Sequence, residues 1–288
     1  MTIHEARQSL LFQLYHLYEQ REAANIADWI MESLTGWKKI DRVINKNVRM
    51  SLNQQSLLNN YISALASGKP VQYILNESYF LGMKFYVDEN VLIPRPETEE
   101  LVNWIVADFK SAAGSHTIAD IGTGSGCIAI GIKTKVPAAR IYAVDVSKAA
   151  LAVAEKNALT LARDIVFIPL DLQDKEAWNQ LPGVDIIVSN PPYITRKEEK
   201  QMSRNVTAFE PHLALFVENE DPLMFYRLLI EFGDQRLLEG GKIYIEINEL
   251  FGSELILLFS NCGYHTELRK DMQGKDRMIK AWKMGKSD

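Results

Sequence analysis

The tetrapeptide Asn190-Pro191-Pro192-Tyr193 combines residue types that can hold a planar amino group. It follows the apolar run 184–189, whose β-branched residues are typical of a buried parallel strand. Two consecutive prolines end that strand, because proline has no backbone N–H to donate to a neighbouring strand. Open α/β folds bind ligands at the carboxyl edge of the sheet. The sequence therefore predicts an amide side chain, two proline carbonyls and an aromatic ring at a ligand-binding edge.

The chemistry that fits this tetrapeptide is alkylation of a carboxamide or an exocyclic base amine. Such a nitrogen is planar and a poor nucleophile, because its lone pair is delocalised. The Asn190 side-chain oxygen and the Pro191 carbonyl can each accept one of its N–H hydrogen bonds. Acceptors in those positions stabilise the positive charge that develops on the nitrogen during attack. Pro192 would stiffen the turn and Tyr193 would lie against the flat group. The alternative is structural: a Pro-Pro strand terminator with a capping asparagine.

A glycine-rich loop lies earlier in the chain, between a predicted strand at 117–121 and a predicted helix that begins at Cys127. Such a loop lets a ligand approach the backbone and the helix N–H groups closely. A second predicted strand ends in Asp145, whose carboxylate can accept two hydrogen bonds from a ribose diol. This layout fits either NAD or S-adenosylmethionine, and the G-x-G-x-G spacing favours the latter; a structural glycine turn is the alternative. The predicted cofactor-binding loop consists of Gly122, Thr123, Gly124, Ser125 and Gly126.

A third predicted strand, 165–170, is followed by Asp171 and Leu172. In an S-adenosylmethionine site, Asp171 would accept a hydrogen bond from the adenine amino group and Leu172 would pack on the ring. Asp171 could equally be the N-cap of a following helix. The glycine loop, the two acidic strand ends and the N-P-P-Y turn follow one another at successive strand ends. This order indicates a methyltransferase that acts on an amino group.

Composition limits the classes of protein that fit. The chain has 288 residues, 47% of them hydrophobic and 24% charged, which is typical of a globular protein. It has only two cysteines, so the sequence predicts neither a disulfide framework nor a cysteine-rich metal site. We expect a cytoplasmic protein, because the sequence shows neither a transmembrane run nor a signal peptide. The net charge of −5 argues against binding of duplex nucleic acid.

The chain is predicted to contain a small all-helical N-terminal domain at residues 1–70 and a β-hairpin linker at 71–90. Residues 91–288 are predicted to form an α/β domain with a Rossmann-like, mostly parallel sheet and a C-terminal antiparallel hairpin. In the helical part, Leu10, Leu14 and Leu17 have helical spacing. Five basic residues are predicted to lie on one face opposite apolar residues, either as a solvated face or as a docking surface. They are Lys38, Lys39, Arg42, Lys46 and Arg49.

The motifs together resemble the PrmC/HemK family, the glutamine-N5 methyltransferases of peptide chain release factors. The resemblance covers nearly the whole chain. Besides the glycine loop and the N-P-P-Y turn, it rests on three segments that begin with Pro-Val-Gln-Tyr, Val-Leu-Ile-Pro-Arg-Pro-Glu-Thr-Glu and Glu-Pro-His. These are residues 70–74, 91–101 and 210–215. The N-P-P-Y motif is shared with adenine-N6 methyltransferases, and the segment around Pro94–Glu99 is the more family-specific of the signals.

This resemblance implies a class I methyltransferase fold with S-adenosylmethionine as the methyl donor. It implies that the glycine loop holds the methionine part of the cofactor, that Asp145 holds the ribose and that Leu172 borders the adenine. Asn190 would meet both cofactor and substrate, and the helical domain would dock the release factor, whose Gly-Gly-Gln loop inserts the target glutamine. The residues implied to bind the substrate are Asn190, Pro191, Pro192 and Tyr193, which also form the predicted catalytic unit, with Pro94, Arg95 and Glu97.

Two alternatives to this function are considered. A nucleic-acid adenine-N6 methyltransferase would use the same pocket, and its binding would weaken steeply with salt. A catalytically idle module would bind a release factor or the ribosome through the helical domain alone. No metal site is predicted.

Overall fold

The computed structural model describes residues 1–109, 116–218 and 221–283. The chain forms two compact units. The first consists of Met1–Glu77 together with Arg204–Phe209, and the second of Ser78–Ser203 together with Glu210–Asp288.

The described residues form the following elements. The helices are α1 Ile3–Leu14, α2 Gln20–Thr35, α3 Lys39–Ile44, α4 Leu52–Ala66, α5 Val71–Leu75, α6 Pro96–Phe109, α7 Cys127–Lys135, α8 Lys148–Thr160, α9 Arg204–Phe209, α10 His212–Leu215, α11 Met224–Arg236 and α12 Gly252–Asn261. The strands are β1 Ser78–Phe80, β2 Met83–Phe85, β3 Thr117–Ile121, β4 Arg140–Asp145, β5 Val166–Pro169, β6 Val184–Ser189, β7 Ile194–Thr195, β8 Phe216–Val217, β9 Leu237–Glu246, β10 His265–Lys270 and β11 Asp276–Trp282.

The first unit is helical, as predicted. Helices α1 and α4 each begin at a capping box, formed by Thr2 and Glu5 in α1 and by Ser51 and Gln54 in α4. The structure differs from the prediction at Leu17, which is 49% exposed because α1 already ends at Leu14. Residues of α1, α2 and α4 pack together in one core, which includes Leu10, Leu14, Ile26, Ile30, Leu34, Leu58 and Leu65.

The predicted basic face is wrong at Arg42. This side chain is 4% exposed, donates to the carbonyl of Trp37 at 2.6 Å, and lies 3.3 Å from Asp28. Helix α3 therefore turns its arginine inward, and the apolar side chains Ile40 and Ile44 are 64% and 73% exposed instead. A buried guanidinium with charged and carbonyl acceptors is stable in this position. Helical spacing alone does not reveal such partners.

The predicted hairpin linker is wrong in its first part. Residues 71–75 form helix α5, which Asn76 ends in the left-handed conformation with φ 53°. The hairpin comprises only β1 and β2. Its two turn residues, Leu81 and Gly82, have φ 50° and 74°, a pair of positive values that matches the twist of tight hairpins.

The second unit contains a seven-stranded sheet in the order β10-β11-β9-β6-β3-β4-β5. Strands β9, β6, β3, β4 and β5 are parallel, and β10 and β11 form an antiparallel hairpin at one edge. The predicted sheet with its closing hairpin is confirmed. The chain runs from β3 outward to β5 and then returns to β6 on the other side of β3, so the strand order reverses between β3 and β6. Parallel sheets bind ligands at the carboxyl side of such a reversal.

Apolar side chains cover both faces of this sheet. One core contains Trp178, Tyr226, Phe232 and Phe259, and the other contains Phe80, Phe85, Trp104 and Ile105. Burial on both faces explains why the central strands read as near-continuous apolar runs in the sequence. Asp145, Ser189 and Glu246 stand at the carboxyl ends of β4, β6 and β9.

Candidate active site

A cleft of about 1160 Å³, including the solvent at its mouth, lies at the carboxyl ends of β3, β4, β5 and β6 in the second unit. The cleft gathers most of the predicted site residues, namely Pro94, Arg95, Gly122, Thr123, Gly124, Ser125, Asp145, Asp171, Leu172, Asn190, Pro191 and Pro192. Three predicted site residues, Glu97, Gly126 and Tyr193, are not part of its lining.

The glycine loop has a backbone that other residues adopt with strain. Gly122, Gly124 and Gly126 have φ of 75°, 55° and 79°, in the left-handed region. A Cβ atom on Gly122 or Gly124 would meet nothing within 4 Å, whereas one on Gly126 would lie 3.1 Å from the Cβ of Ala154. The first two glycines therefore leave open space beside the cleft, and the third lets helices α7 and α8 pack closely.

Asp145 is fixed by the loop that it faces. One of its carboxylate oxygens accepts from the backbone N–H of Gly124 and the other from that of Ser147, each at 2.9 Å. Burial raises the pKa of Asp145, and these backbone hydrogen bonds act in the opposite direction. The carboxylate is thus held at the end of β4 next to the cleft, with lone pairs left for a ligand hydroxyl.

A buried asparagine on α8 supports the glycine loop from behind. Asn157 donates to the carbonyl oxygens of Ser125 and Tyr86, both at 2.9 Å, and accepts from the N–H of Tyr86 at 2.7 Å. Sequence reasoning missed this residue. Its only sequence signal is a single amide in an apolar helix face.

The end of β5 brings one apolar and one polar side chain to the cleft. Leu172 is buried, and its carbonyl accepts from the indole N–H of Trp178 at 3.0 Å. Asp171 is exposed and accepts from the backbone N–H of Gln173 at 2.9 Å. This hydrogen bond closes a turn and no helix begins there, so the alternative of Asp171 as a helix N-cap is wrong.

The N-P-P-Y turn leaves β6 at the cleft. Ser189, the last residue of the strand, donates to the carbonyl of Ile121 at 2.7 Å and ties the ends of β3 and β6 together. Asn190 and the two prolines then line the cleft. Tyr193 points elsewhere: its hydroxyl donates to Glu246 at 2.9 Å, and its carbonyl accepts from the amide of Asn248 at 3.3 Å.

Two residues lie behind Asn190: Thr98, which belongs to the predicted wall segment Pro94–Glu99 but was not singled out, and Glu246, which sequence reasoning missed. Thr98, in the first turn of α6, is buried, lines the cleft, and its hydroxyl oxygen lies 3.3 Å from Asn190 Nδ2. The same hydroxyl donates to Glu246 at 2.7 Å. Burial raises the pKa of Glu246, opposed by hydrogen bonds from Thr98 and Tyr193. Glu246 could have been found as an acidic residue inside an otherwise apolar strand.

The segment before α6 forms another wall. Pro96 begins the helix, a position that suits proline, and Glu97 lies in its first turn, where a negative charge is favourable. Arg95 lines the cleft and donates to Glu210 at 2.5 Å, and the other oxygen of that carboxylate accepts from the N–H of Ile93 at 3.2 Å. Glu210 is buried, and its two hydrogen bonds join the segment before α10 to the segment before α6.

Asp120 is a further buried acid that sequence reasoning did not single out. One oxygen accepts from the Thr123 hydroxyl at 2.6 Å and from the N–H of Ala129 at 3.1 Å. The other oxygen has no hydrogen-bond partner among the described residues. Burial, with a smaller contribution from the charge of Asp145, raises the pKa of Asp120 to about 7.

Comparison with known proteins gives the family. Residues 100–209 match the model of the methyltransferase small domain, and residues 7–75 match that of the PrmC N-terminal domain. A release factor glutamine methyltransferase of Flavobacterium psychrophilum is 42% identical over 98% of this chain and 99% of its own length. The chain belongs to the release factor glutamine methyltransferase family. The protein of the same name from Bacteroides thetaiotaomicron is 40% identical, covering 93% of this chain and 95% of the relative.

Solved structures agree on the fold. The 16S rRNA N2 G1207 methyltransferase from T. thermophilus aligns with a TM-score of 0.51 over 72% of this chain and 49% of its own, at 17% identity. At that identity the likeness shows the class I methyltransferase fold alone. Within the residues that the structure describes, no helix is long and apolar enough to span a membrane, and no three potential ligands are grouped to hold a metal ion.

Proposed function

We propose that this protein transfers the methyl group of S-adenosylmethionine to the side-chain amide nitrogen, N5, of the glutamine in the Gly-Gly-Gln motif of class I peptide chain release factors. The reaction would support translation termination in the cytoplasm. The observation that carries the proposal is that Asn190 and Pro191 line the same cleft as Gly122, Gly124 and Asp145. A site that can accept hydrogen bonds from an amide thus adjoins a loop suited to a nucleoside cofactor.

The described residues fit S-adenosylmethionine. The open space beside Gly122 and Gly124 admits close approach of a ligand to the backbone. The fixed carboxylate of Asp145 would accept from the ribose hydroxyls, and the buried side chain of Leu172 would border the adenine. Asp171, exposed at the same strand end, would accept from the adenine amino group. The bound cofactor supplies a methyl group activated by its sulfonium.

The substrate amide would be held by acceptors. Asn190 Oδ1 and the Pro191 carbonyl would each take one N–H of the glutamine amide, which orients its nitrogen and stabilises the charge that develops on it. One proton leaves the nitrogen after transfer, so no strong base is required beforehand. Pro192 stiffens the turn, Tyr193 holds its far end through Glu246, and Pro94, Arg95 and Glu97 belong to the segment that walls the pocket.

The helical residues 1–70 are proposed to dock the release factor, and residues 91–288 to form the methyltransferase domain. The match of residues 7–75 to the PrmC N-terminal domain supports this assignment. Ile40, Ile44 and Leu52 of the helical unit expose large apolar side chains. Exposed apolar patches are typical of protein-binding surfaces.

The experiment is methyl transfer from labelled S-adenosylmethionine to purified full-length release factor, with duplex and single-stranded DNA as parallel substrates. Label on the Gly-Gly-Gln glutamine, located by peptide mass mapping, supports the proposal, and a release factor with that glutamine replaced by alanine is the matched control. Label in DNA alone would contradict it and favour adenine-N6 methylation.

Two variants separate the proposed roles. We expect Asn190→Ala to lower kcat at least about a hundredfold, as loss of a transition-state hydrogen bond does, while the Kd for S-adenosylmethionine rises less. Asp145→Ala should raise that Kd, measured by calorimetry, more than it lowers kcat. An unchanged Kd in Asp145→Ala would contradict the ribose assignment.

A further inference from the structure

A hydrogen-bonded chain leads from the interior of the second unit to Asn190. It runs from Glu246 at the end of β9 to Thr98 on α6 and then to the side-chain amide of Asn190, with heavy-atom distances of 2.7 Å and 3.3 Å. On its other oxygen, Glu246 accepts from the hydroxyl of Tyr193 at 2.9 Å. Both Thr98 and Glu246 are buried, so water does not compete for these bonds.

The direction of the hydrogen bonds in this chain follows from the number of protons. A threonine hydroxyl has one proton and two lone pairs. Thr98 donates its proton to Glu246, so toward Asn190 it presents only lone pairs. It can therefore accept from Nδ2, whereas the flipped amide would set Oδ1 against a lone pair. No described residue donates a hydrogen bond to Asn190 Oδ1.

The residues around Glu246 favour this direction. The hydroxyl of Tyr193 is a donor to the carboxylate, and burial together with the charge of Glu246 raises the pKa of Tyr193, which keeps that proton in place. Arg277 adds an attractive positive charge that favours the ionised carboxylate. Each oxygen of Glu246 thus accepts a hydrogen bond from one hydroxyl, Oε2 from Thr98 and Oε1 from Tyr193.

We propose that Glu246, acting through Thr98, is a positioning residue that fixes the amide orientation of Asn190 so that Oδ1 faces the substrate. This inference rests on the proposed function, in which Asn190 Oδ1 accepts from the substrate amide. In the opposite orientation the N–H groups of Asn190 would face those of the substrate. Two donors cannot pair, so that orientation would be unproductive.

The kinetic test compares Thr98→Val, which removes the hydroxyl at constant shape, with Thr98→Ser, which keeps it. We expect kcat to fall at least about tenfold in Thr98→Val, by analogy with the loss of transition-state donors. The Kd for S-adenosylmethionine should stay within about twofold of the wild-type value. In Thr98→Ser, kcat should largely recover. Glu246→Gln should also lower kcat, because its amide carries a donor as well as an acceptor. Thr134→Val, which removes a half-buried helix hydroxyl outside the cleft, is the control for general loss of a hydrogen-bonded helix hydroxyl.

A second readout does not depend on activity. With ¹⁵N-labelled asparagine, the Asn190 side-chain NH₂ signal can be assigned by its disappearance in Asn190→Asp. We expect slowed hydrogen exchange of one of its protons in the wild type and in Thr98→Ser, and fast exchange in Thr98→Val. Exchange that is the same in all three proteins would overturn the inference. If no substrate is methylated, the proposed function fails, and the exchange measurement still decides the inference. If the wild type is active and kcat is unchanged in Thr98→Val, the inference is overturned and the proposed function is not.

Discussion

Asp120 makes the stability of the second unit depend on pH in a way that one substitution can isolate. Its two hydrogen-bond donors, Thr123 and Ala129, share a single carboxylate oxygen. The other oxygen is buried without a partner among the described residues, which penalises its charge. An asparagine side chain at this position would keep one oxygen for both donors and carry no charge, so Asp120→Asn separates the cost of ionisation from the rest of the contacts.

The sign follows from linkage. Burial raises the native pKa of Asp120 to about 7, against an ordinary value of 3.8. A carboxyl group with a raised native pKa stabilises the fold fully at pH values below the unfolded pKa, and this contribution is lost as pH rises through the native pKa. The full difference corresponds to about 4 kcal/mol. Between about pH 5 and about pH 8, the loss is about 2 to 3 kcal/mol.

The assay is urea unfolding of the wild type and Asp120→Asn across about pH 5 to about pH 8. The variant carries a constant offset of about 1–3 kcal/mol, because its new N–H groups are buried without a partner. We therefore expect its free energy of unfolding to gain about 2 to 3 kcal/mol relative to the wild type as pH rises over this window.

Asp108→Asn is the matched control. Burial raises the pKa of Asp108, but hydrogen bonds from Tyr244 and Lys280 outweigh burial and lower it. Asp108 is therefore ionised throughout the window, and its variant should differ from the wild type by a constant amount. Parallel curves for the wild type and Asp120→Asn would refute the reasoning, because Asp120 would then be ionised, or neutral, in both folded and unfolded chains.

Two further predictions concern the cleft walls. Asn157→Ala leaves three backbone hydrogen bonds unmade, so the free energy of unfolding, measured by heat or urea, should fall by about 3 kcal/mol. The control, Asn261→Ala at an exposed position, should change it by no more than about 0.5 kcal/mol. Equal changes in the two variants would contradict the supporting role of Asn157. Glu210→Ala removes both acceptors of a buried carboxylate and strands Arg95, so we expect a loss of about 3 kcal/mol and a raised KM for release factor. Glu210→Gln, which keeps one acceptor, should lose less in a comparison of Tm values, and identical Tm values in both variants would count against the contact.

The sequence was sufficient to predict the sheet and the cleft, because both depend on short-range patterns. The apolar run before Asn190 is β6 as predicted, with the same bounds, and Asp145 stands at the end of β4. Carboxyl ends of parallel strands meet at one edge by geometry. Residues that follow different strands, such as Gly122, Asp145 and Asn190, are therefore brought together without any knowledge of side-chain contacts.

Other features could not be predicted, because they depend on partners distant in the chain. Helical spacing placed Arg42 on a solvated face, but the residues that bury it lie on another helix and in the preceding loop. The short helix α5 depends on left-handed Asn76, which no periodicity indicates. Glu97 belongs to the right motif, yet its neighbour Thr98 lines the cleft and Glu97 does not.

The orientation of Asn190 shows where this limit matters for function. Its type and position at the end of β6 are evident from four consecutive residues, but the donor end and the acceptor end of its amide are indistinguishable in sequence. The choice between them is made by Thr98, 92 positions away, and Thr98 in turn is oriented by Glu246, at a separation of 148. A motif therefore supplies the groups for amide recognition, and the fold decides which atom each group presents. In an N-P-P-Y turn without such a hydroxyl and carboxylate behind it, the asparagine amide should more often be flipped. Its oxygen would then accept less often from the substrate amide.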